Sequence, residues 1–275
     1  MLLRCRSRTL DLSSPCVMGI LNVTPDSFSD GGRHYDRAVA IEAGLRMAGE
    51  GAAIIDVGGE STRPGAACVS AQEEIDRVAP VIEALTGRTP AILSVDTSKP
   101  EVIQAALQAG VQMVNDVRAL ELPGALDAAV AGDAAVCVMH RQGEPANMQA
   151  DPRYDDVVKE VRDYLAGRVA ACRAAGIKAD AICVDPGIGF GKTAAHNLDL
   201  LRNLVAFTNL GGPLLVGVSR KSLIGIITGR PANERLAGSV AFAALCVAGG
   251  ASIIRAHDVA ATVDAVKIAA RMKEL

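Results

Sequence analysis

The sequence predicts one α/β domain over residues 1–275, a single (β/α)8 barrel with a short N-terminal hairpin. Eight short apolar runs each end on a polar or charged residue. Helical patterns separate the runs, and strand alternating with helix implies a parallel sheet. The length, 275 residues, suits one full barrel, for which about 250 is typical. Parallel strands covered on both faces read as continuous apolar stretches. In such a barrel the active site gathers at the C-terminal ends of the strands.

The elements follow in order. Leu2 to Leu12 reads as a hairpin over the barrel bottom. The first run, Val17 to Leu21, ends on Asn22; after a long loop, a helix over Tyr35 to Gly51 carries Val39, Ala43, Met47 and Ala48 on one face. The second run, Ala53 to Ile55, ends on Asp56, and the helix Ala71 to Thr86 carries Ile75, Val78, Ala79, Ile82 and Leu85. The third, Ala91 to Val95, ends on Asp96; Pro100 opens the helix Glu101 to Ala109 and Gly110 closes it. The fourth, Gln112 to Val114, ends on Asn115, with a helix from Leu122 to Ala131. The fifth, Ala135 to Met139, ends on His140, before the long helix Tyr154 to Ala175. The sixth, Ala181 to Val184, ends on Asp185, before the helix Ala195 to Ala206. The seventh, Leu214 to Val218, ends on Ser219, Arg220 and Lys221, before the helix Asn233 to Ala248. The eighth, Ser252 to Ile254, ends on Arg255 and His257, before the helix Val259 to Lys273.

Composition narrows the function. The net charge of -3 comes without any basic block, which disfavours nucleic acid as a partner. Seven cysteines, an odd number with no C-x-x-C, predict reduced thiols in a cytoplasmic protein. No signal peptide is expected from Met1 to Leu12. The uncharged stretch Leu236 to Ile254 carries Gly238, Gly249, Gly250 and Ser252, so it splits into helix, turn and strand rather than spanning a membrane. The helix Asn233 to Ala248 is apolar on most of its surface, whereas an outer barrel helix needs a polar outer face. A homodimer through the last two helices is therefore expected.

The stretch Asp185 to Thr193 imitates a phosphate loop, but Pro186 stands where a Walker A motif needs Gly, and Lys192 where a dinucleotide fingerprint needs Gly. Its glycines still imply a tight loop whose backbone approaches a ligand. The four histidines show no metal spacing, and His34 and His196 read as loop or surface residues.

Asp56, Asp96, Asn115 and Asp185 converge on one pocket if the barrel is right. Such carboxylates could bind a metal, act as acid and base, or hold a hydrogen-bond-rich ring; one or two could instead cap a following helix. Ser219, Arg220, Lys221, Ser222, Arg255 and His257 follow the two last strands, where barrel phosphate sites often lie. Arg offers a planar fork of donors suited to phosphate. A phosphorylated substrate with its organic part over the carboxylates is the chemistry suggested. The loops after the first two strands, Asn22 to Gly32 and Gly58 to Gly65, have the Gly, Pro and Ser content of lids.

Across nearly its whole length the chain resembles the dihydropteroate synthase family. The matching stretches are Asn22 to Gly32, Asp56 to Gly65, Ser94 to Thr97, Asn115-Asp116, Met139-His140, Asp185 to Lys192, Ser219 to Ser222 and Arg255 to His257. No departure is seen where the family's motif is strict; the loop Arg141 to Ala150 is individual. The resemblance implies condensation of 6-hydroxymethyl-7,8-dihydropterin pyrophosphate with para-aminobenzoate, giving 7,8-dihydropteroate and pyrophosphate. It implies a pterin pocket of Asp96, Asn115, Met139, Asp185 and Lys221. It implies a pyrophosphate site of Asn22, Arg63, Arg255 and His257, with Mg2+ at Asn22. The aminobenzoate side would comprise Phe28, Thr62, Pro64, Phe190, Lys221 and Ser222, and catalysis would fall to Asp96, Asp185, Lys221 and Arg255. Sulfonamides, which resemble aminobenzoate, are expected to inhibit. A pterin-binding methyltransferase would not need the pyrophosphate site or the lid motifs, and an inactive pterin-binding protein should show decay in them.

Overall fold

The computed structural model describes residues 1–24, 32–60, 69–143 and 148–273. The N-terminal hairpin pairs β1 (Leu2–Cys5) with β2 (Arg8–Asp11), antiparallel. The barrel strands are β3 (Cys16–Asn22), β4 (Ile54–Gly58), β5 (Ile92–Asp96), β6 (Met113–Asp116), β7 (Ala135–Met139), β8 (Ile182–Asp185), β9 (Leu215–Gly217) and β10 (Ile253–Ala256). They pair in parallel in the order β8-β7-β6-β5-β4-β3-β10-β9. A parallel bridge between Val184 and Leu214, with the Val184 N–H donating to the Pro213 carbonyl at 3.0 Å, joins the two ends of that order. The expected barrel is present, with its hairpin.

The helices are α1 (Gly32–Gly49), α2 (Ala71–Leu85), α3 (Pro100–Ala109), α4 (Ala125–Ala131), α5 (Val157–Ala174), α6 (Ala194–Arg202), α7 (Ser222–Thr228), α8 (Leu236–Ala248) and α9 (Val259–Lys273). Capping sets several ends. Ser70 and Asp156 accept the N–H groups of Glu73 and Lys159, and Gly110 closes α3 at φ 116°. Tyr154 therefore lies before its helix. His196 lies in the first turn of α6 and completes a capping box with Thr193, rather than sitting in a loop. Helix α7 has no counterpart among the elements expected from sequence. Helix α8 starts later than expected, because Ala232–Glu234 forms a separate 3-10 turn.

Period-two alternation decides what the barrel encloses. Met18, Ile54, Ile92, Met113, Cys137, Cys183, Leu215 and Ile253 form one buried interior cluster, with Leu3, Cys5 and Leu12 of the hairpin region packed into it. Alternate residues, such as Leu21, Ile55, Val57, Val95, Val114 and Val184, belong to the outer cluster beneath the helices. The hairpin closes the barrel bottom as expected. The Arg6 guanidinium donates to the carbonyls of Leu107 and Val111 at 3.1 Å, and Arg8 donates to that of Ala91 at 2.9 Å.

Candidate active site

Two residues beyond several of the interior apolar residues stands a polar or charged one on the same face. Asp56 follows Ile54, Asn115 follows Met113, Asp185 follows Cys183 and Arg255 follows Ile253, while Asp96 stands four beyond Ile92. Asp56 is thus a mid-strand residue inside β4 rather than a strand end. Register aligns Asn22 with Gly58 and Gly58 with Asp96, then Asp96 with Asn115. Across β7 and β8 it aligns Met139 with Asp185.

Arg255 organises the centre. Its Nε donates to Asp56 at 2.7 Å and its Nη2 donates to Asp96 at 2.7 Å. The same Asp56 oxygen accepts from the Asn115 side-chain amide at 2.8 Å. Asp56, which the sequence placed at the centre without a function, therefore links Arg255 to Asn115. Burial opposes the Arg255 charge, yet Asp56 and Asp96 hold its pKa above the usual arginine value. Burial pushes the Asp96 carboxyl up to about 7, with Arg255 opposing the rise and Asp56 adding to it.

Asp185 accepts the Gly187 N–H at 2.7 Å. Burial raises its pKa, and Lys221 opposes that most. Lys221 in turn is lowered to about 8 by burial, with Asp185 pulling it back up. Its ammonium donates to the Ile188 carbonyl and lies 4.7 Å from the centroid of the Phe190 ring, within cation–π reach. Met139 is buried beside this group, and Ser222 is exposed at the start of α7.

On the β9–β10 side, Ser219 Oγ lies 3.0 Å from His257 Nδ1 and accepts the His257 N–H at 3.2 Å. Arg220, grouped by sequence with the anion-binding residues, departs from that expectation. It adopts φ 57° and turns its guanidinium to Asp258, at 2.5 and 3.0 Å. Of the sequence-derived site, Phe28, Thr62, Arg63 and Pro64 lie outside the described residues. The flanks of the second loop are tied together, since Glu60 accepts the Val69 N–H at 2.9 Å. Lys99 bridges Glu60 and the fully buried Glu74 at 3.0 and 2.6 Å. Sequence reasoning passed over this triad, because its charges are scattered over three elements.

Asp185 to Thr193 is confirmed as a tight loop, but two of its glycines approach protein rather than a ligand. Gly187 (φ 68°) and Gly191 (φ 62°) press against the carbonyls of His140 and Gln142, where a Cβ would collide. Lys192, which spoils the dinucleotide fingerprint, is buried beneath the loop.

For a metal, the described residues hold no group of three His, Cys, Asp or Glu side chains able to ligate one. Asn22 does supply an amide oxygen at the rim, 3.6 Å from where a Gly58 Cβ would stand, beside Asp96. One protein oxygen suits Mg2+ held chiefly by substrate phosphates.

Fold and site define a (β/α)8-barrel enzyme whose mouth gathers buried carboxylates and an amide, with cations beside them. Residues 18–257 match the family described as pterin binding enzyme. The dihydropteroate synthase of Escherichia coli K12 is 52% identical over 268 residues, 98% of this chain and 95% of that one. The Yersinia pestis dihydropteroate synthase in complex with a sulfonamide drug superposes at TM-score 0.95, with 50% identity and 100% of both chains covered. The Xanthomonas albilineans enzyme with 4-aminobenzoic acid gives TM-score 0.94, 50% identity and coverage of 100% and 98%. The same enzyme with 7,8-dihydropteroate gives 0.91 and 47%, with both chains fully covered. The chain belongs to the dihydropteroate synthase family of pterin-binding transferases.

Proposed function

We propose that this chain condenses 6-hydroxymethyl-7,8-dihydropterin pyrophosphate with para-aminobenzoate, releasing pyrophosphate and forming 7,8-dihydropteroate. The observation that carries the reading is the Arg255–Asp56–Asp96–Asn115 network on the inner rim, with Asp185 and Lys221 across the mouth. A pterin edge offers N–H donors in a row. Asp185, its carboxylate fixed by the Gly187 N–H, can accept two of them. A buried polar site of this kind rejects rings that lack those donors.

In the reaction the bond from the pterin methylene carbon to the pyrophosphate oxygen breaks. A bond from that carbon to the amine nitrogen forms, and the amine loses a proton. Arg255 and His257, with Arg63, would take the charge building on the leaving pyrophosphate. Asn22 would help hold Mg2+, which supplies further neutralisation of the phosphate oxygens. The ring delocalises the positive charge on the methylene carbon, and the carboxylates of Asp96 and Asp185 favour that cation. Lys221 and Phe190 shape the side from which the aminobenzoate amine attacks, with Ser222 at the start of α7 beyond them. No strong base is needed, because the aromatic amine is already nucleophilic.

Three associated features belong to the same reading. The exposed Leu236 and Leu245 of α8, together with Ile268 and Met272 of α9, support a homodimer through these two packed helices. Buried cysteines with pKa values raised by burial, Cys5 and Cys246 to about 12, suit a cytoplasmic protein with inert thiols. No helix among the described residues is long and apolar enough to cross a membrane. Mass spectrometry after mixing the protein with both substrates and Mg2+ tests the activity. Dihydropteroate is the expected product; bound pterin without product would overturn the reading.

A further inference from the structure

Beneath the loop that carries Asp185 and Phe190 lies a charged side chain with no counterpart in the chemistry above. Lys192 is 2% exposed. Its Nζ donates to the carbonyls of Gly187 at 2.9 Å, Phe190 at 3.0 Å and His140 at 3.3 Å, and lies 2.9 Å from His140 Nδ1. The carbonyls only accept, which suits an ammonium. Burial lowers the Lys192 pKa to about 7, with Asp185 opposing the fall. Its N–H donors are shared between the carbonyls and His140 Nδ1, which accepts when the ring is neutral. Burial holds His140 to that neutral form, its pKa being lowered to about 3. The four acceptors come from two loops, one after β7 and one after β8. In the second, Gly187 directly follows Asp185-Pro186 and also holds the Asp185 carboxylate, while Phe190 lies under Lys221. A buried ammonium costs several kcal/mol of hydration unless its surroundings replace the lost water. Here main-chain carbonyls replace it, and doing so fixes where those carbonyls stand.

We propose that Lys192 is a positioning residue for both substrates, an internal peg whose ammonium gathers the carbonyls of His140, Gly187 and Phe190 and so fixes Asp185 and Phe190 in register with the mouth of the barrel. The inference rests on the assignment of the pterin to Asp185 and of the aminobenzoate to Phe190 and Lys221. One peg under a loop that serves both sites makes a distinctive demand: its loss must weaken the two substrates together. Gln149, whose side-chain amide donates to the Gly189 carbonyl at 2.5 Å, and Asn197, which accepts the Gly189 N–H at 2.6 Å, brace the same loop from above and from α6. They do not replace the peg, because neither touches the carbonyls of Gly187 or Phe190.

The test is steady-state kinetics on the full chain with Lys192→Met, which keeps the stem and deletes the ammonium, alongside His140→Leu, which removes one acceptor and leaves the carbonyls. For Lys192→Met, KM for the dihydropterin pyrophosphate and KM for aminobenzoate both rise about tenfold or more, and kcat falls less than either KM rises. For His140→Leu the same two constants rise together by about threefold, the scale of one hydrogen bond. Assays run well below each variant's melting temperature, so a loss of stability alone leaves both KM values unmoved. Unchanged KM values in His140→Leu and in whatever folded Lys192→Met is recovered would overturn the proposal, as would a rise confined to one substrate. Wild-type protein that makes no dihydropteroate would instead overturn the functional reading.

Discussion

Removal of the Arg255 guanidinium tests the centre of the site. Arg255→Met keeps an unbranched apolar stem and deletes the fork that reaches Asp56 and Asp96, each at 2.7 Å. Both carboxylates are buried, at 0% and 9% side-chain exposure. Breaking a buried ion pair by removing one partner costs about 3–5 kcal/mol, and two carboxylates losing one cation place this variant near 5. Asp56 retains the Asn115 amide, so its own share is the smaller. The loss depends on pH, and its sign is fixed by Asp96. Burial already lifts that carboxyl to about 7 against the pull of Arg255, and deleting Arg255 lifts it further. The folded variant then binds a proton that the unfolded chain releases above about pH 4, and that uptake favours folding as pH falls. A further rise of one in the Asp96 pKa is worth about 1.4 kcal/mol at full uptake, and part of that uptake is already present at about pH 8, so the destabilisation at about pH 5.5 is smaller than at about pH 8 by roughly 1 kcal/mol. Urea unfolding of wild type and variant at both pH values measures it. A loss under about 1 kcal/mol at both, or a larger loss at the acid pH, would refute the reasoning.

Four further outcomes are expected. kcat/KM for the pterin substrate falls on the acid side of about pH 7, where Asp96 takes up its proton, and Asp96→Asn removes that limb; a pH profile with its limb near 4 would exclude Asp96 as the controlling group. Leu3→Ala, in the fully buried plug of the barrel bottom, costs about 2–5 kcal/mol in urea unfolding with little change in KM. In sedimentation, wild type is expected to run as the proposed dimer and Leu245→Arg, on the exposed face of α8, as a monomer; a wild-type monomer would overturn the dimer reading. A sulfonamide raises the apparent KM for aminobenzoate without lowering the maximal rate, as a competitor for the Lys221 and Phe190 side must.

The barrel was legible because its signal is local. Each strand is a short apolar run with a polar residue at its end, so Asp56, Asp96, Asn115 and Asp185 could be grouped from sequence alone, with Arg255 set apart among the anion-binding residues. What those ends do to one another was not legible. Arg255 and Asp56 stand 199 residues apart, and only register sets them 2.7 Å apart. The helix α7 was missed because its seven residues directly follow Lys221 and carry a nearly unbroken apolar run, Leu223-Ile224-Gly225-Ile226-Ile227, with no polar face to reveal a helical period. Arg220 was grouped with the anion-binding residues because it follows the seventh strand, where barrel phosphate sites often lie; its positive φ and Asp258 turn it away. Lys192 read as a failed phosphate motif because its cage includes a carbonyl and a ring 52 residues upstream.

The most direct measurement follows both products, dihydropteroate and pyrophosphate, in one reaction with purified protein, both substrates and Mg2+, for wild type and Asp96→Asn. Wild type should release the two in equal amounts, and Asp96→Asn should be slower by about 100-fold or more, the scale of losing one preorganised electrostatic group. Pyrophosphate released without dihydropteroate, or near-full turnover by Asp96→Asn, would contradict the assignment of the inner rim to the pterin cation.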